Sequence, residues 1–406
     1  MSQKHSYRMT RIDPTTAYLQ LQNKNCGNYY TGKAVPAHAC SDNHVKNCCH
    51  EMSQPNNCGS SKRCPKPCDY YKLPNGCTYY DCDPCCGANL PELYLLLNQT
   101  TREFAEAAAE NPPIYDVTPE EARAAIDALQ IDQSYKATVD ITDIEVTYEG
   151  QNLSLTIFRP KNTVQILPAA VYMHGGGWVV GNKETHGRSV SEIAVGANIG
   201  IVFVNYPLAP EQRYPTQIEY CYLATQYVYN NASLLNLSSN RLILIGDSVG
   251  GQMAASTAII GLQDSTIKLG YLVLISPVTS AKMDTQSYEI YCGGPWLTKP
   301  AMIYFFDEYV PDPEDRDGVD VSPANASLKQ LARLPPTLVI TAENDVLRDE
   351  GENFAHQLIL ADVTVTATRY LGTIHDFTWL DPIKDTTPPI AAIQQIINVL
   401  KNFLAQ

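Results

Sequence analysis

The residues best suited to covalent chemistry lie in the stretch Gly246-Asp-Ser248-Val-Gly250. The apolar run Leu242 to Ile245 leads directly into it, so a buried strand is expected to end at Gly246 and a helix to begin next to it. Glycines two positions before and after a serine permit a sharp strand-to-helix turn that exposes the hydroxyl beside a helix N-terminus. The stretch therefore predicts a serine nucleophile, although alone it would also fit a glycine-rich turn with an idle serine.

A run of glycines follows an earlier predicted strand, in the sequence His174-Gly-Gly-Gly177. Consecutive glycines leave backbone N–H groups unshielded, so a substrate oxygen can approach them closely. Two of these N–H groups, with one from the residue after the serine, would form an oxyanion hole. The residues predicted to form or shape it are Gly175, Gly176, Gly177 and Val249.

A serine hydroxyl also needs a base and a group that orients the base. Asp345 follows one predicted strand and His375 follows the next. Side chains just past the carboxyl ends of parallel strands reach the same rim of a sheet. Ser248, then Asp345, then His375 is the order in which this architecture carries its triad. Lesser candidates for the acid are Glu343 and Asp349, while Asp349 and Glu350 are expected to be acids at a helix N-terminus.

At these motifs the chain resembles the hormone-sensitive-lipase family of α/β hydrolases, over roughly residues 90–406. The resemblance rests on the sequences His174-Gly-Gly-Gly-Trp178, Asn205-Tyr-Pro-Leu-Ala-Pro-Glu211, Gly246-Asp-Ser-Val-Gly-Gly251, Asp345-Val-Leu-Arg-Asp-Glu-Gly351 and Gly372-Thr-Ile-His-Asp-Phe377. It implies an esterase of small or medium acyl esters, with a cap formed by residues 90–135 and 278–330. No metal ion or organic cofactor is expected.

An apolar pocket is expected below the cap. The residues predicted to line it are Trp178, Trp296 and Phe305, and Val249 stands where the family usually has Ala, which narrows the pocket. Short to medium acyl chains should fit best, because each added methylene gains only about 0.8 kcal/mol while there is room for it.

The elements that must position these residues alternate between strand and helix. Val- and Ile-rich strands alternating with helices indicate a doubly wound, mostly parallel sheet, interrupted by an irregular or helical segment at 278–330. The predicted strands are 169–173, 200–205, 242–245, 271–275, 337–341 and 363–370. The predicted helices are 190–198, 217–229, 249–260, 296–309, 349–360 and 389–404.

Three further elements are predicted before this alternation. An amphipathic helix is expected over 91–110, with Tyr94, Leu95, Leu97 and Phe104 on its apolar side. The capping box Thr118-Pro-Glu-Glu121 predicts a second helix through Leu129. Alternating apolar residues at 144–148 and 153–158 predict a β-hairpin.

Residues 1–89 are expected to form a separate Cys-rich region, and residues 90–406 the α/β-hydrolase domain. Eleven of the thirteen cysteines lie between Cys26 and Cys86. Disulfides fit this density best, and a thiol-rich tail is a further interpretation. Zinc would fit Cys82-x-x-Cys85 and the separate cluster of His38, Cys40, His44, Cys48 and His50. Because eleven is odd, disulfide-linked self-association through residues 26–86 is also considered.

Charge and hydropathy exclude other classes of protein. The formal net charge is −14, and residues 91–406 carry nineteen Lys and Arg against thirty-seven Asp and Glu. An acidic body argues against binding to nucleic acid. No apolar run reaches about 18 residues, so no membrane span is expected.

The compartment and one alternative function stay open. No apolar signal segment follows the first residues, which favours the cytoplasm, whereas the cysteines favour an oxidising extracellular or particle-associated setting. The alternative to a small-molecule esterase is a catalytically weak hydrolase fold that serves as a receptor or structural module, addressed by its Cys-rich tail to an extracellular or particle assembly.

Overall fold

A computed structural model describes residues 70–72, 78–80, 90–263 and 267–406. The chain divides into two units, Met1–Cys82 and Asp83–Gln406. In the first unit, strands β1 (Tyr70–Lys72) and β2 (Thr78–Tyr80) pair antiparallel. The cysteines between Cys26 and Cys86, and with them the disulfide, zinc and self-association predictions, lie outside the described residues.

An eight-stranded sheet is the centre of the second unit. Its strand order is β10-β9-β8-β7-β5-β6-β4-β3, and all neighbours are parallel except for the antiparallel pairs β4–β6 and β3–β4. The strands are β3 Val139–Tyr148, β4 Gln151–Pro160, β5 Leu167–Met173, β6 Gly200–Val204, β7 Leu237–Asp247, β8 Leu269–Ile275, β9 Thr337–Asn344 and β10 Val365–Ile374. The predicted mostly parallel sheet is therefore confirmed.

Helices cover both faces of the sheet, which explains why its inner strands are apolar on both sides. The helices are α1 Leu90–Leu95, α2 Gln99–Ala108, α3 Pro119–Leu129, α4 Lys183–Ala197, α5 Thr216–Asn231, α6 Val249–Gln263, α7 Gln286–Ile290, α8 Lys299–Tyr309, α9 Leu328–Leu331, α10 Arg348–Leu360 and α11 Thr387–Leu404. Helices α4 and α11 bury their apolar residues on one face, and α5, α6 and α10 on the other.

The strand order reverses next to β5, and this reversal positions the site. From β5 the chain passes to β6 on one side and later to β7 on the other. Met173 pairs with Gly246 at the ends of β5 and β7, so the loops after these strands begin side by side. Clefts of open α/β sheets form at such a reversal, outside the carboxyl ends of the strands.

The helix predicted over 91–110 is wrong as a single element. It is divided into α1 and α2 at residues 96–98, where the Asn98 side chain accepts a hydrogen bond from the N–H of Thr101 at 3.0 Å and begins α2. Arg102 donates to the carbonyl of Tyr94 at 2.9 Å across the break. Leu95 is consequently 64% exposed instead of packed.

The other early predictions are confirmed. Thr118 caps α3 through the full capping box, and β3 and β4 form the hairpin around Glu149-Gly150. The helix predicted to begin at Trp296 begins at Lys299 instead, because Thr298 is its N-cap and Pro300 occupies its first turn. In the described part of the chain, no helix is long and apolar enough to cross a membrane.

Candidate active site

Ser248 lies on a strained turn between β7 and α6. Its backbone φ is +54°, a region that most residues avoid. Two backbone hydrogen bonds to the end of β8 and the residues after it fix the turn. The N–H of Ser248 donates to the carbonyl of Ile275 at 2.8 Å, and the carbonyl of Ser248 accepts from the N–H of Val278 at 3.0 Å. A Cβ atom at Gly246 would collide with the carbonyl oxygen of Gly250, which is why the turn requires glycine there.

The three residues of the predicted triad are brought together by the sheet. Ser248 follows β7, Asp345 follows β9 and His375 follows β10. His375 Nε2 lies 2.9 Å from Ser248 Oγ, and His375 Nδ1 lies 2.7 Å from Asp345 Oδ2. All three side chains are buried. This chain of contacts can carry a proton from the hydroxyl to the imidazole while the carboxylate orients the ring.

The lesser acid candidates do not reach His375. Glu343 accepts from the N–H of Gly372 at 2.8 Å, and Asp349 accepts from the N–H of Ser287 at 2.8 Å. Among the described residues, Asp345 is the acid that contacts Nδ1 of His375.

Glu350 lies in the first turn of α10, as predicted, but it is not solvated. It is only 3% exposed, and one carboxyl oxygen accepts from the N–H of Thr279 at 2.6 Å. Burial raises the pKa of Glu350 to about 8, although hydrogen bonds from Thr279 and Ser280 act to lower it. Helix position predicts exposure only when no other segment covers the helix end, and here residues 279–280 cover it.

The electrostatics at His375 are dominated by two carboxylates. Burial alone would lower its pKa, but Asp345 and Asp376 outweigh this effect and raise the pKa of His375 to about 9. Asp376 is a residue that sequence reasoning missed. Its Oδ1 lies 3.2 Å from His375 Nε2, and its Oδ2 accepts a hydrogen bond from Trp296 Nε1 at 2.9 Å. The available signal was an acid directly after the candidate base.

The predicted oxyanion loop lies beside Ser248. Gly176 and Gly177 have φ values of +104° and +60°, and a Cβ at Gly175 would collide with the Asp247 carboxylate. The N–H groups of Gly176 and Gly177 have no hydrogen-bond partner within the described ranges. Val249 is the first residue of α6, so its N–H has no acceptor inside the helix.

Asp247 anchors this loop from below, a role that the sequence did not reveal. Its two carboxyl oxygens accept from Tyr172 at 2.7 Å and from the N–H of Gly175 at 3.1 Å, and His186 Nε2 lies 3.2 Å away. Burial acts to raise the pKa of Asp247, but His186 and Tyr172 hold it below its ordinary value. A charged anchor thus fixes the start of the loop through a backbone donor.

His174 supports the same loop as a neutral ring. It stacks on Tyr206 with 4.2 Å between ring centroids, and its Nδ1 lies 2.7 Å from the carbonyl oxygen of Gly175. Burial, helped by the neighbouring His186, lowers the pKa of His174 to about 3.

The three predicted pocket residues occupy different places. Trp178 is completely buried, where it stacks on Tyr309 of α8 at 4.2 Å. Phe305 of α8 covers Gly177 so closely that a Cβ there would strike its ring. Trp296 is half-buried beside Asp376. Helix α8 therefore packs on the oxyanion loop.

No group of three or more His, Cys, Asp or Glu side chains within residues 90–263 and 267–406 is arranged to hold a metal ion.

Comparisons with known proteins place this chain among α/β hydrolases. A family model described as an alpha/beta hydrolase fold matches residues 170–379. A protein of Acanthamoeba polyphaga mimivirus, named as an alpha/beta hydrolase, is 43% identical over 305 residues, which are 75% of this chain and 88% of the relative. Carboxylesterase NlhH of Mycobacterium tuberculosis is 32% identical over 263 residues, covering 64% and 82%. Among solved structures, a thermostable esterase from Pseudomonas putida ECU1011 has 38% identity and a TM-score of 0.74, covering 76% of this chain and 98% of that one.

Proposed function

This chain belongs to the hormone-sensitive-lipase group of α/β hydrolases and is a carboxylesterase-like serine hydrolase, and on that premise we propose that Ser248, His375 and Asp345 hydrolyse carboxylic esters through an acyl-enzyme. The observation that supports this most is the continuous contact from Ser248 Oγ to His375 at 2.9 Å and from His375 to Asp345 at 2.7 Å. The relatives named as esterases do not favour the receptor or structural role.

In the proposed reaction, Ser248 Oγ attacks the carbonyl carbon of the ester while its proton passes to His375 Nε2. The backbone N–H groups of Gly176, Gly177 and Val249 hold the negative oxygen of the tetrahedral intermediate. The C–O bond to the alcohol then breaks, and His375 gives its proton to the leaving oxygen. A water molecule repeats the sequence on the acyl-enzyme, which releases the acid and restores Ser248.

Replacement of the nucleophile tests the mechanism. In Ser248→Ala we expect the hydrolysis of 4-nitrophenyl butyrate to fall by about four to six orders of magnitude, because no covalent intermediate can form. Labelling by a fluorophosphonate probe should also disappear, while circular dichroism stays unchanged. Ser256→Ala removes a buried hydroxyl from α6, the helix that begins directly after Ser248, and should keep both the hydrolysis and the labelling. Turnover near the wild-type rate in Ser248→Ala would exclude the assignment.

The acyl group is proposed to be short or medium in length. Helix α8 supports this, because Phe305 lies directly on Gly177 and Trp178 is enclosed by Phe306 and Tyr309. A long acyl chain lying along the oxyanion loop would have to displace these close-packed rings.

A series of 4-nitrophenyl esters from acetate to palmitate measures this preference. We expect kcat/KM to rise with chain length to about butyrate or hexanoate and then to fall, as each methylene first gains contact and then clashes. Phe305→Ala should move the maximum to longer chains. Faster hydrolysis of palmitate than of butyrate by the wild-type protein would contradict the proposed length limit.

A further inference from the structure

We propose that Asp376 is a positioning residue for this reaction: it is a second carboxylate acting on His375, and it sets the pH range in which His375 can accept the proton of Ser248. The inference rests on the proposed function of Ser248 and His375, and it assigns a role to a residue that the triad does not require.

The position of Asp376 on the ring is the first observation. Two groups meet at Nε2 of His375, namely Ser248 Oγ at 2.9 Å and Asp376 Oδ1 at 3.2 Å. A neutral imidazole that is ready to accept the serine proton presents a lone pair at Nε2, which repels a carboxylate oxygen. An imidazolium presents an N–H there, which attracts it. Asp376 therefore favours the protonated ring.

The second observation is that the carboxylate of Asp376 is held in this position. Its backbone φ is +65°, its side chain is only 13% exposed, and its other oxygen accepts a hydrogen bond from Trp296 Nε1 at 2.9 Å. Trp296 itself packs on Phe104 of α2, with 5.2 Å between ring centroids. A solvated acid on a turn could rotate away from the ring, whereas the hydrogen bond from Trp296 holds the carboxylate of Asp376 beside His375.

The other charged groups around His375 do not cancel this effect. Asp345, at the end of β9, contacts Nδ1, and Asp247, at the end of β7, also raises the pKa of His375. Asp247 is itself paired with His186 of α4. Burial opposes these carboxylates, yet the pKa of His375 is raised to about 9. The surrounding carboxylates therefore favour the protonated ring, which cannot act as a base.

Removal of the Asp376 charge should have two opposite consequences. The same contact stabilises the imidazolium in the resting protein and in the transition state, where His375 carries the serine proton. Asp376→Asn should increase the neutral fraction of His375 near pH 7, and it should also weaken the base. The pH–rate profiles of the two proteins should therefore cross.

The test is the pH dependence of kcat/KM for 4-nitrophenyl butyrate, followed at the isosbestic wavelength of nitrophenol, because kcat/KM reports the ionisation of the free enzyme. For the wild type we expect a rise through a pKa above 8. This rise is the acid limb of the profile, and in Asp376→Asn we expect its midpoint to lie about one pH unit lower. The plateau of kcat/KM at alkaline pH should be several-fold lower than in the wild type, and kcat/KM at pH 7 should be higher. An acid limb that does not move in Asp376→Asn overturns the proposal.

Two control variants separate charge from structure. Asp376→Glu keeps the carboxylate, and its acid limb should stay close to that of the wild type. Asp385→Asn removes a carboxylate that is 88% exposed, and its profile should coincide with the wild type. A merely structural role for Asp376 would lower the rate or the stability in Asp376→Asn and Asp376→Glu alike without moving the limb, which also overturns the proposal.

A titration that needs no turnover keeps this proposal distinct from the proposed function. The imidazole of His375 can be followed by NMR in the wild-type protein with labelled histidine, assigned by comparison with His375→Gln. A pKa above 8 in the wild type that falls by about one unit in Asp376→Asn supports the role of Asp376 even if the chain cleaves no ester that is tried. A wild-type value near 6.5, ordinary for histidine, or the same pKa in both proteins overturns it even if the esterase activity is established.

Discussion

Single residues near the active site differ in how far the fold changes their ionisation. Glu350 is a clear case, because it is buried on α10 with one oxygen bound to the N–H of Thr279, and its pKa is raised to about 8. A carboxyl group whose folded pKa lies above its unfolded value binds a proton more tightly in the folded state. Its contribution to stability is therefore complete below about pH 4.5 and is lost as the pH rises through 8.

Glu350→Gln should remove this loss, because glutamine has the shape of the protonated acid and cannot ionise. Between pH 6 and pH 9 we expect the free energy of unfolding of the wild type to fall by about 2 kcal/mol more than that of the variant. Urea denaturation at several pH values measures the difference. Glu352→Gln, which removes a carboxylate of the same helix that pairs with Arg369 of β10, serves as the control. Parallel pH curves for the wild type and Glu350→Gln would show that Glu350 does not ionise in this range.

At the level of elements, the loop between β5 and α4 has to present free N–H groups beside Ser248. It does so with glycines at positive φ, anchored by Asp247 at Gly175 and covered by Phe305 of α8 at Gly177. The loop is therefore fixed from two sides before any substrate binds. Preorganised donors of this kind stabilise a developing oxyanion without reorganisation during the reaction.

Gly176→Ala tests this arrangement, because the new Cβ would collide with the carbonyl of Val180 at a φ of +104°. We expect kcat/KM to fall by about 100-fold as the Gly176 N–H moves away from the oxyanion. Gly150→Ala is the matched control, since Gly150 has a φ of +81° in the β3–β4 turn with open space around it. It should lose about 1 kcal/mol of stability and keep its activity within about twofold. Equal activities in the two variants would exclude the loop as the oxyanion hole.

On the scale of the whole molecule, the described residues of the candidate site all lie in the second unit. The triad, the oxyanion loop and the elements that hold them all lie between Leu90 and Leu404. Trp296 and Phe305, which contact the site, belong to the same unit. The division into residues 1–89 and 90–406 and the assignment of segments 90–135 and 278–330 to a cap are still predictions.

A protein that begins at Ala88 should therefore fold and hydrolyse short esters with a turnover similar to that of the full chain. Circular dichroism and the hydrolysis of 4-nitrophenyl butyrate measure the two properties. Comparison of both proteins on a non-reducing gel tests whether disulfide-linked association depends on residues 26–86. A truncated protein that is folded but inactive would show that the N-terminal region takes part in the active site.

The amino-acid sequence by itself determined the elements and the order of the reacting groups. The turn at Ser248 follows from local steric rules, because a Cβ at Gly246 collides within the same turn. Apolar runs such as Leu242 to Ile245 predict buried strands, and the capping box at Thr118 predicts the start of α3. These features depend on residues only a few positions apart, so they can be read before the fold is known.

Only the tertiary structure decided which distant groups meet and how far they are buried. Asp376 reaches Trp296 across 80 positions, and Asp247 reaches Gly175 across 72. Glu350 lies at the helix N-terminus that its position predicts, but it is buried because Thr279 and Ser280 cover it. Contacts of this kind depend on the strand order and on segments far apart in the chain. The desolvation that raises or lowers a pKa depends on the same packing, which no local pattern contains.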